Sequence, residues 1–504
     1  MASQEQESRA SSLPQQMGEQ LSRASSLPQQ MGEQLSRASS LPQGGAAVPC
    51  GSELARDASG REQVPLRGVL MVAFHFPPQK GSSGLQRTLR FVQHLRGLGW
   101  APTVLTANAR AYAECADDHL ADLPADVPVL RAFALDTARH LAIRGKYLGA
   151  MALPDRWWTW VVPAFFTGLR AIRRSRPSVL YSTSPIPSAQ LVGWALHRAT
   201  GLPWVADLRD PLTGRASPAT RGLRHRAQAF VERCVARRAA HIVFTTSAAR
   251  ADFHSRYPTL PLAHLHVVEN GFDEGDFLAA EALAAAEAQL AHAPTAKERV
   301  ACAPPVAQSS SAASLKKPLV LLHSGLVSDA VRTPRALLQA LATAFPEGQF
   351  RGRPVRVVFR GSQAEAQFRP LTAALGLEPW VVWLPALPYR EALLEMLRAD
   401  GLLLLQGEQN NPQVPAKVYE YFRAGRPLLG LVGECSECTR LLAAEGLGTT
   451  APLEDPVAIE AALGAFLAQV VAGTAPIMPA ARAKVFSRAG RTAELATVLG
   501  VAAS

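Results

Sequence analysis

Cysteine is scarce in this chain: six residues among 504, too few and too scattered for a disulfide framework. Cys435 and Cys438 form a lone CxxC with no second pair at ligand spacing, and read as two small residues around a loop rather than a zinc or redox centre. Lysine is nearly as rare, seven against 45 arginines. Long hydrophobic runs are missing too. The longest uncharged apolar stretch, 157–169, is too short to cross a bilayer and is broken by Pro163. No signal-peptide pattern opens the chain. These absences predict a cytoplasmic protein, at most peripheral at the inner face of the plasma membrane. No Asp-x-Asp closes a strand, so neither a metal nor a cofactor is expected. The net charge of +11 comes without a helix-turn-helix, zinc-finger or RNA-binding aromatic signature, which argues against nucleic acid.

What is present is apolar, 48% of the residues, enough to build a core in two domains. The first 66 residues stand apart. SRASSLPQQMGEQL fills 8–21, recurs at 22–35 and begins again at Ser36. Each copy offers only Leu and Met as apolar anchors, too few to offset the entropy of ordering, so a disordered tail is expected over 1–66.

From Arg67 the pattern changes. GVLMVAF (68–74) is a continuous apolar run, the mark of a strand buried on both faces of a parallel sheet. Leu85, Leu89, Val92 and Leu95 then repeat at helical spacing, and PTVLTA (102–107) reads as the next strand. This is a βαβ unit with a glycine-containing first loop. SVLYSTS, PWVADLRD, HIVFTTS and HLHVVENG continue the series to residue 276. Residues 277–316, alanine-rich and then rich in Pro and Ser, read as a linker with a helical first half. A second αβ series runs from PLVLLHSG through GLLLLQ and RPLLGLV to 475, and 476–504 is expected to be a helix packing back on the first domain. The expected fold is α/β: two doubly wound Rossmann-like domains facing across a cleft.

Charge and glycine collect where such a fold binds ligands. Gly81, Ser82, Ser83 and Gly84 lie between the first strand and its helix, where backbone can approach an anion; a flexible turn would look the same. His75 and Arg87 flank them. Asp207, Arg209 and Asp210 end the apolar strand PWVADLRD, either as a site or as a structural ion pair. Pro415 pre-sets a helix start, and Lys417 and Glu420 share one face of its first turns, as donor ligands or as an exposed pair. Gly325 follows a strand and Arg332 lies shortly beyond, where a solvated arginine is the plain alternative. Residues 157–176 set five aromatics beside four arginines. That suits a membrane interface, but also a helix packed on the first sheet, the preferred reading.

Five stretches, AFHFPPQKGSSGLQRT, STSPIPSAQL with PWVADLRDP, VVENGFD, HSGLVSDAVRTP and VPAKVYEYFRAGRPLL, together resemble the family 4 retaining nucleotide-sugar glycosyltransferases, of GT-B fold. The resemblance runs from 67 to 499 apart from the linker. It implies a metal-independent hexosyltransferase moving sugar from a nucleotide-diphosphate donor to a saccharide or lipid-linked saccharide, in polysaccharide or glycolipid synthesis. It implies that Lys417 and Arg332 meet the donor diphosphate near Gly325, Glu420 the ribose, and the loop 81–84 the donor phosphates and acceptor. Asp210, with Asp207 and Arg209, would face the acceptor, and 270–273 would be an interdomain hinge. Relatives carry a further glutamate eight positions before Glu420; here that residue is Pro412. A sugar-nucleotide epimerase or hydrolase on the same fold, or a non-catalytic binding protein with a degenerate site and a docking tail, are the other readings.

Overall fold

The computed structural model describes residues 66–80, 83–117, 119–214, 222–292 and 317–504. The tail expected over 1–66 lies outside them except for Leu66, as do Gly81, Ser82 and the second part of the expected linker, 293–316.

The first sheet contains β1 (Arg67–Ala73), β2 (Trp100–Ala107), β3 (Val129–Ala132), β4 (Val179–Thr183), β5 (Trp204–Arg209), β6 (His241–Phe244) and β7 (Leu265–Val267). All neighbours run parallel, in the order β3-β2-β1-β4-β5-β6-β7. Parallel strands need helical crossovers, and these cover both faces, so the strands are apolar throughout. On one face the helices Val161–Ser175, Pro187–Thr200 and Leu223–Arg238 bury Ala164, Ile172, Val192, Leu196 and Val235 against Leu105, Leu180 and Ala206. On the other face the helix Ser83–Leu95 buries Leu85, Leu89, Val92 and Leu95.

The second sheet contains β8 (Leu319–Ser324), β9 (Gln349–Phe350), β10 (Arg353–Arg360), β11 (Val381–Leu384), β12 (Gly401–Gln406), β13 (Leu428–Val432) and β14 (Thr450–Ala451). Its order is β11-β10-β8-β12-β13-β14, parallel, with β9 a short antiparallel addition to β10. In both sheets the chain winds outward on one side and then crosses to the other. Each sheet therefore has a switch point: between β1 and β4 in the first, between β8 and β12 in the second. The loops that leave these strands at their carboxyl ends part there and open a crevice.

The domains are joined twice. The helix Glu274–His292 packs Phe277 and Ala280 into the second domain beside Tyr419 and Phe422. The expected linker thus begins as part of that domain's core. Further on, Phe486 packs on Tyr419 and Phe422 in the second domain, while the helix Arg488–Ala502 packs Leu495, Val498 and Leu499 against the Ser83–Leu95 helix of the first. The two crossings touch: Phe272 pairs with Ser487, and the Arg488 N–H donates to the Phe272 carbonyl at 2.7 Å. An ionic bridge adds to them. Arg90 binds Asp276 at 2.5 Å and Asp122 at 3.1 Å, and Arg390 of the second domain reaches Asp122 at 2.9 Å.

Candidate active site

The carboxyl edge of the first sheet is crowded with charge, and most of it is internally matched. Asp207 is fully buried. It accepts from Arg87 Nε at 2.9 Å, the Tyr181 hydroxyl at 2.5 Å and Thr183 Oγ1 at 3.1 Å. Arg87 spends its other groups on the carbonyls of Val268 (2.9 Å) and Glu269 (2.8 Å). Such a hub ties β4, β5, the first helix and the chain after β7 together, and it leaves Asp207 no face toward an acceptor. Asp207, expected on the acceptor side, is placed as scaffold.

Arg209 and Asp210 lie at the mouth. The register shifts between Asp207 and Arg209, and Arg209 takes φ = 61°, a left-handed conformation unusual for a side-chain-bearing residue. Thr245 holds it there through its N–H (2.8 Å) and hydroxyl (3.0 Å), both donated to the Arg209 carbonyl. The bend aims the guanidinium at the loop after β1. A Cβ added at Gly84 would lie 3.0 Å from Arg209 Nη1 and 3.6 Å from His75 Nδ1, so a side chain there would press on the guanidinium. Gly81 and Ser82 of that loop are outside the described residues, as is the side chain of Ser83. Burial, with Arg209 nearby, holds His75 neutral, its pKa lowered to about 4. Burial also pushes the Asp210 carboxyl up, against the pull of Arg209, and Thr245 Oγ1 stands 3.4 Å from it.

Across the cleft, the groups at the switch point of the second sheet are cationic. Lys417, in the first turn of the helix Ala416–Ala424, donates to the Ser324 carbonyl at 2.7 Å at the end of β8. The next residue, Gly325, has φ = 124°, and a Cβ there would sit 2.5 Å from Lys417 Nζ. Backbone conformation and space therefore both demand glycine. Arg332 is half-buried, its Nε without a protein partner. Burial and the Arg332 charge lower the Lys417 pKa to about 7. Arg332 is likewise lowered by burial. The helix start adds to this field, since Pro415 caps it without a side-chain hydrogen bond and the positive end of the helix dipole lies beside Lys417. His323, buried beneath Gly325, is held neutral with its pKa lowered to about 3, its Nδ1 3.0 Å from the Leu403 carbonyl.

Glu420 follows one turn after Lys417. The Tyr389 hydroxyl donates to its Oε1 at 2.8 Å, and the buried Arg488 adds a nearby positive charge. Pro412 offers only a carbonyl, which accepts from Thr246 Oγ1 of the first domain at 2.6 Å and closes the cleft on that side. Tyr389, Arg488 and His323 escape a reading of motifs. Only the HSG triplet after an apolar strand hints at His323; Tyr389 comes from the helix Tyr389–Arg398 of the same domain, and Arg488 is brought in by the domain crossing. A recess of about 190 Å³ lies elsewhere, along the edge strand β11 among Arg369, Thr372 and Trp383, and holds none of these groups. Among the described residues no cluster of His, Cys, Asp and Glu is arranged to hold a metal, and no helix is long and apolar enough to cross a membrane.

Residues 84–271 match the model of a family described as a glycosyl transferase 4-like domain. No curated protein matches the sequence. Among solved structures, the fold is similar to that of Anabaena HepE in complex with UDP and glucose, at 13% identity and a TM-score of 0.56, over 86% of this chain and 99% of that one. It is also similar to the N-terminal domain of Candida albicans trehalose-6-phosphate phosphatase, at 12% and 0.58, over 89% and 100%. A third is WaaG, a glycosyltransferase involved in lipopolysaccharide biosynthesis, at 15% and 0.50, over 86% and 98%. Two parallel-sheet Rossmann-like domains in the GT-B manner are thus the architecture of this chain.

Proposed function

We propose that the protein transfers a glycosyl group from a nucleoside-diphosphate sugar to a hydroxyl acceptor, with retention of configuration and without a metal ion. The observation that carries this is the Lys417–Arg332 pair, two cations placed together at an uncapped helix start on the second sheet's switch point. Like charges are rarely buried side by side unless an anion completes them. A diphosphate does so, and its negative charge grows as the bond from the anomeric carbon to the leaving oxygen breaks. Lys417, whose burial loosens its hold on a proton, is then fully charged on the departing group. Glu420 lies one turn along the same helix and would meet the ribose that follows the phosphates. The similar fold of HepE, in complex with UDP and glucose, supports a nucleotide sugar as the ligand.

On the opposite side, Asp210 faces the acceptor. Its raised pKa makes it a stronger base than an ordinary aspartate, suited to orient the acceptor hydroxyl and take its proton as the new glycosidic bond forms. Arg209 and the Gly84 loop shape the acceptor's seat. The acceptors this reading favours are a growing saccharide or a lipid-linked one. Thermal-shift screening with a panel of nucleoside diphosphates tests the donor site, since stabilisation grows with ligand concentration over affinity. Product analysis with and without acceptor tests the reaction: glycosylated acceptor and nucleoside diphosphate formed only when an acceptor is present support transfer, while epimerised or hydrolysed donor without acceptor rejects it.

A further inference from the structure

The net charge of the chain is not spread over it. Between residues 127 and 251 there are nineteen Lys and Arg against five Asp and Glu, a net of +14 in a chain whose total is +11. Four of the five acids are withdrawn into the interior. Asp136 caps a turn by accepting from the Ala138 N–H, Asp155 accepts from the Ser188 N–H at 2.7 Å, Asp207 is the hub described above, and Glu232 is buried against Arg256. Asp210 lies in the cleft. Among the described residues of this stretch, every exposed charged side chain is therefore basic.

On the same surface large apolar side chains stand in water. Residues 137–158 cross above the amino end of the Pro187–Thr200 helix, tied there by Asp155, and touch the Leu223–Arg238 helix at 149–152. The tip of this segment is a tight two-residue turn: Ile143 and Lys146 exchange backbone hydrogen bonds at 2.9 and 3.0 Å around Arg144 and Gly145, both at positive φ. It projects Ile143, 80% exposed, and Leu148, 74% exposed. In the helix Val161–Ser175, Val162 (62% exposed), Phe166 (52%), Arg170 and Arg173 form a single outward stripe at i, i+4, i+8 and i+11. The helix as a whole is packed on the sheet, as preferred from its sequence; this stripe is not. A helix leading into β4 runs opposite to the strands, so its amino end, with Val162 and Phe166, lies at the carboxyl edge beside the acceptor side of the cleft, and its arginines lie farther back. Leu223 and Phe230 stand outward from the neighbouring helix, followed by Arg233 and Arg237.

We propose that this face of the first domain docks on an anionic lipid bilayer, with Ile143, Leu148, Val162 and Phe166 entering the interface and the arginines behind them engaging the lipid headgroups. The apolar tip and the basic ground together select the occupant. Headgroup charge attracts arginine across a Debye length, and acyl chains take the exposed apolar residues, which a nucleic-acid backbone would leave in water. The docking would present the acceptor side of the cleft to the membrane, and in that respect it deepens the proposed transfer to a lipid-linked saccharide.

Co-sedimentation of the full chain with phosphatidylglycerol-containing vesicles, against phosphatidylcholine alone, tests the docking with neither donor nor acceptor present. A failed transfer assay therefore leaves it standing, and failed sedimentation leaves the Lys417 site standing. The chain should bind the anionic vesicles, and bind less as salt rises. Arg173→Glu with Arg174→Glu and Arg237→Glu should weaken binding by roughly tenfold or more. Ile143→Asp with Leu148→Asp should weaken it about as much, and both variants should keep the parent's melting temperature because the substituted side chains are outside the core. Equal binding to both kinds of vesicle, or anionic binding untouched by either variant, overturns the proposal. So does tighter retention by a nucleic-acid duplex that Ile143→Asp with Leu148→Asp leaves intact.

Discussion

The two sheets present their carboxyl edges to the same cleft and solve opposite problems. At the first, charge is matched from within: Asp207 takes three donors from three elements, and the Pro187–Thr200 helix has its amino end met by the Asp155 carboxylate. At the second, the equivalent helix after β12 starts with no side-chain cap, and burial together with the Arg332 cation weakens the hold of Lys417 on its proton. A matched edge is a scaffold that holds its shape with nothing bound. An edge of unmatched positive charge is stable enough to fold but is completed only by an anion from outside. The contrast supports the proposal that the donor binds the second domain.

The largest effects should separate these roles. Asp207→Ala would strand the buried Arg87 guanidinium and the Tyr181 hydroxyl, and losing one partner of a buried pair costs about 3–5 kcal/mol. We expect a large drop in melting temperature, or failure to fold. The nearly isosteric Asp207→Asn should fall between that and the parent. A variant that kept its stability but lost activity would move Asp207 from the scaffold to the acceptor site. Lys417→Ala should do the reverse. Losing one electrostatic contact to a departing group costs on the order of 3 kcal/mol in the barrier, a hundredfold or more in turnover. The melting temperature should hold or rise, because a desolvated cation is removed. Full turnover by Lys417→Ala would sink the donor site.

Much of this is legible in the sequence. Doubly apolar runs such as 68–74 can only be strands covered on both faces, and residues at their carboxyl ends can only meet at a switch point. The residue pattern places Gly325, Arg332, Lys417 and Glu420 near such edges, and the family resemblance is what groups them, far apart in the chain, as one donor site. The matched edge is not legible in the same way. Whether Asp207 faces solvent or Arg87 depends on side chains from residues 87, 181 and 183, whose convergence no local pattern encodes. The helix Glu274–His292 is half legible: its alanines predict the helix, but that Phe277 and Ala280 anchor it to the second domain depends on what lies beneath. Tyr389 and Arg488 escape the motifs for the same reason.

The unmatched edge should also respond to pH. The Lys417 pKa in the folded protein, about 7, lies below the ordinary 10.5, so between these values the unfolded chain binds more protons than the folded one. Stability from this group therefore rises as pH climbs through that window, and its full cost is felt below pH 7. A bound diphosphate reverses the sign, because its negative charge favours the ammonium. Above pH 7, nucleoside diphosphate should bind with uptake of up to one proton, measurable as a buffer-dependent heat in calorimetry, and its affinity should decline as pH rises. Lys417→Met should abolish the uptake. Uptake that persists in that variant would place the titrating group elsewhere, with the phosphates themselves or with Asp210.

The smallest expected effect lies one helical turn further along, at Glu420. Its Oε1 already accepts from Tyr389, so only part of the carboxylate is available to a ribose. A hydroxyl bound there makes its hydrogen bond in the ground state and changes little as the sugar leaves, so the contact should appear in binding and not in the chemical step. Glu420→Gln should weaken nucleoside-diphosphate binding roughly tenfold, since a hydrogen bond to a charged group is worth about 1.5–3 kcal/mol, and should leave kcat within a few-fold of the parent. Tyr389→Phe removes the competing donor while leaving the carboxylate in place, and should change affinity only a few-fold, in line with about 0.5–1.5 kcal/mol for a neutral hydrogen bond. The pair is informative because the two substitutions act on one oxygen from opposite sides. If Tyr389→Phe weakens nucleotide binding as much as Glu420→Gln, the tyrosine is what points the carboxylate at the ribose. If it tightens binding, the tyrosine competes with the ribose for the same oxygen. A loss of kcat in either variant, with binding intact, would carry Glu420 from the nucleotide to the sugar being transferred.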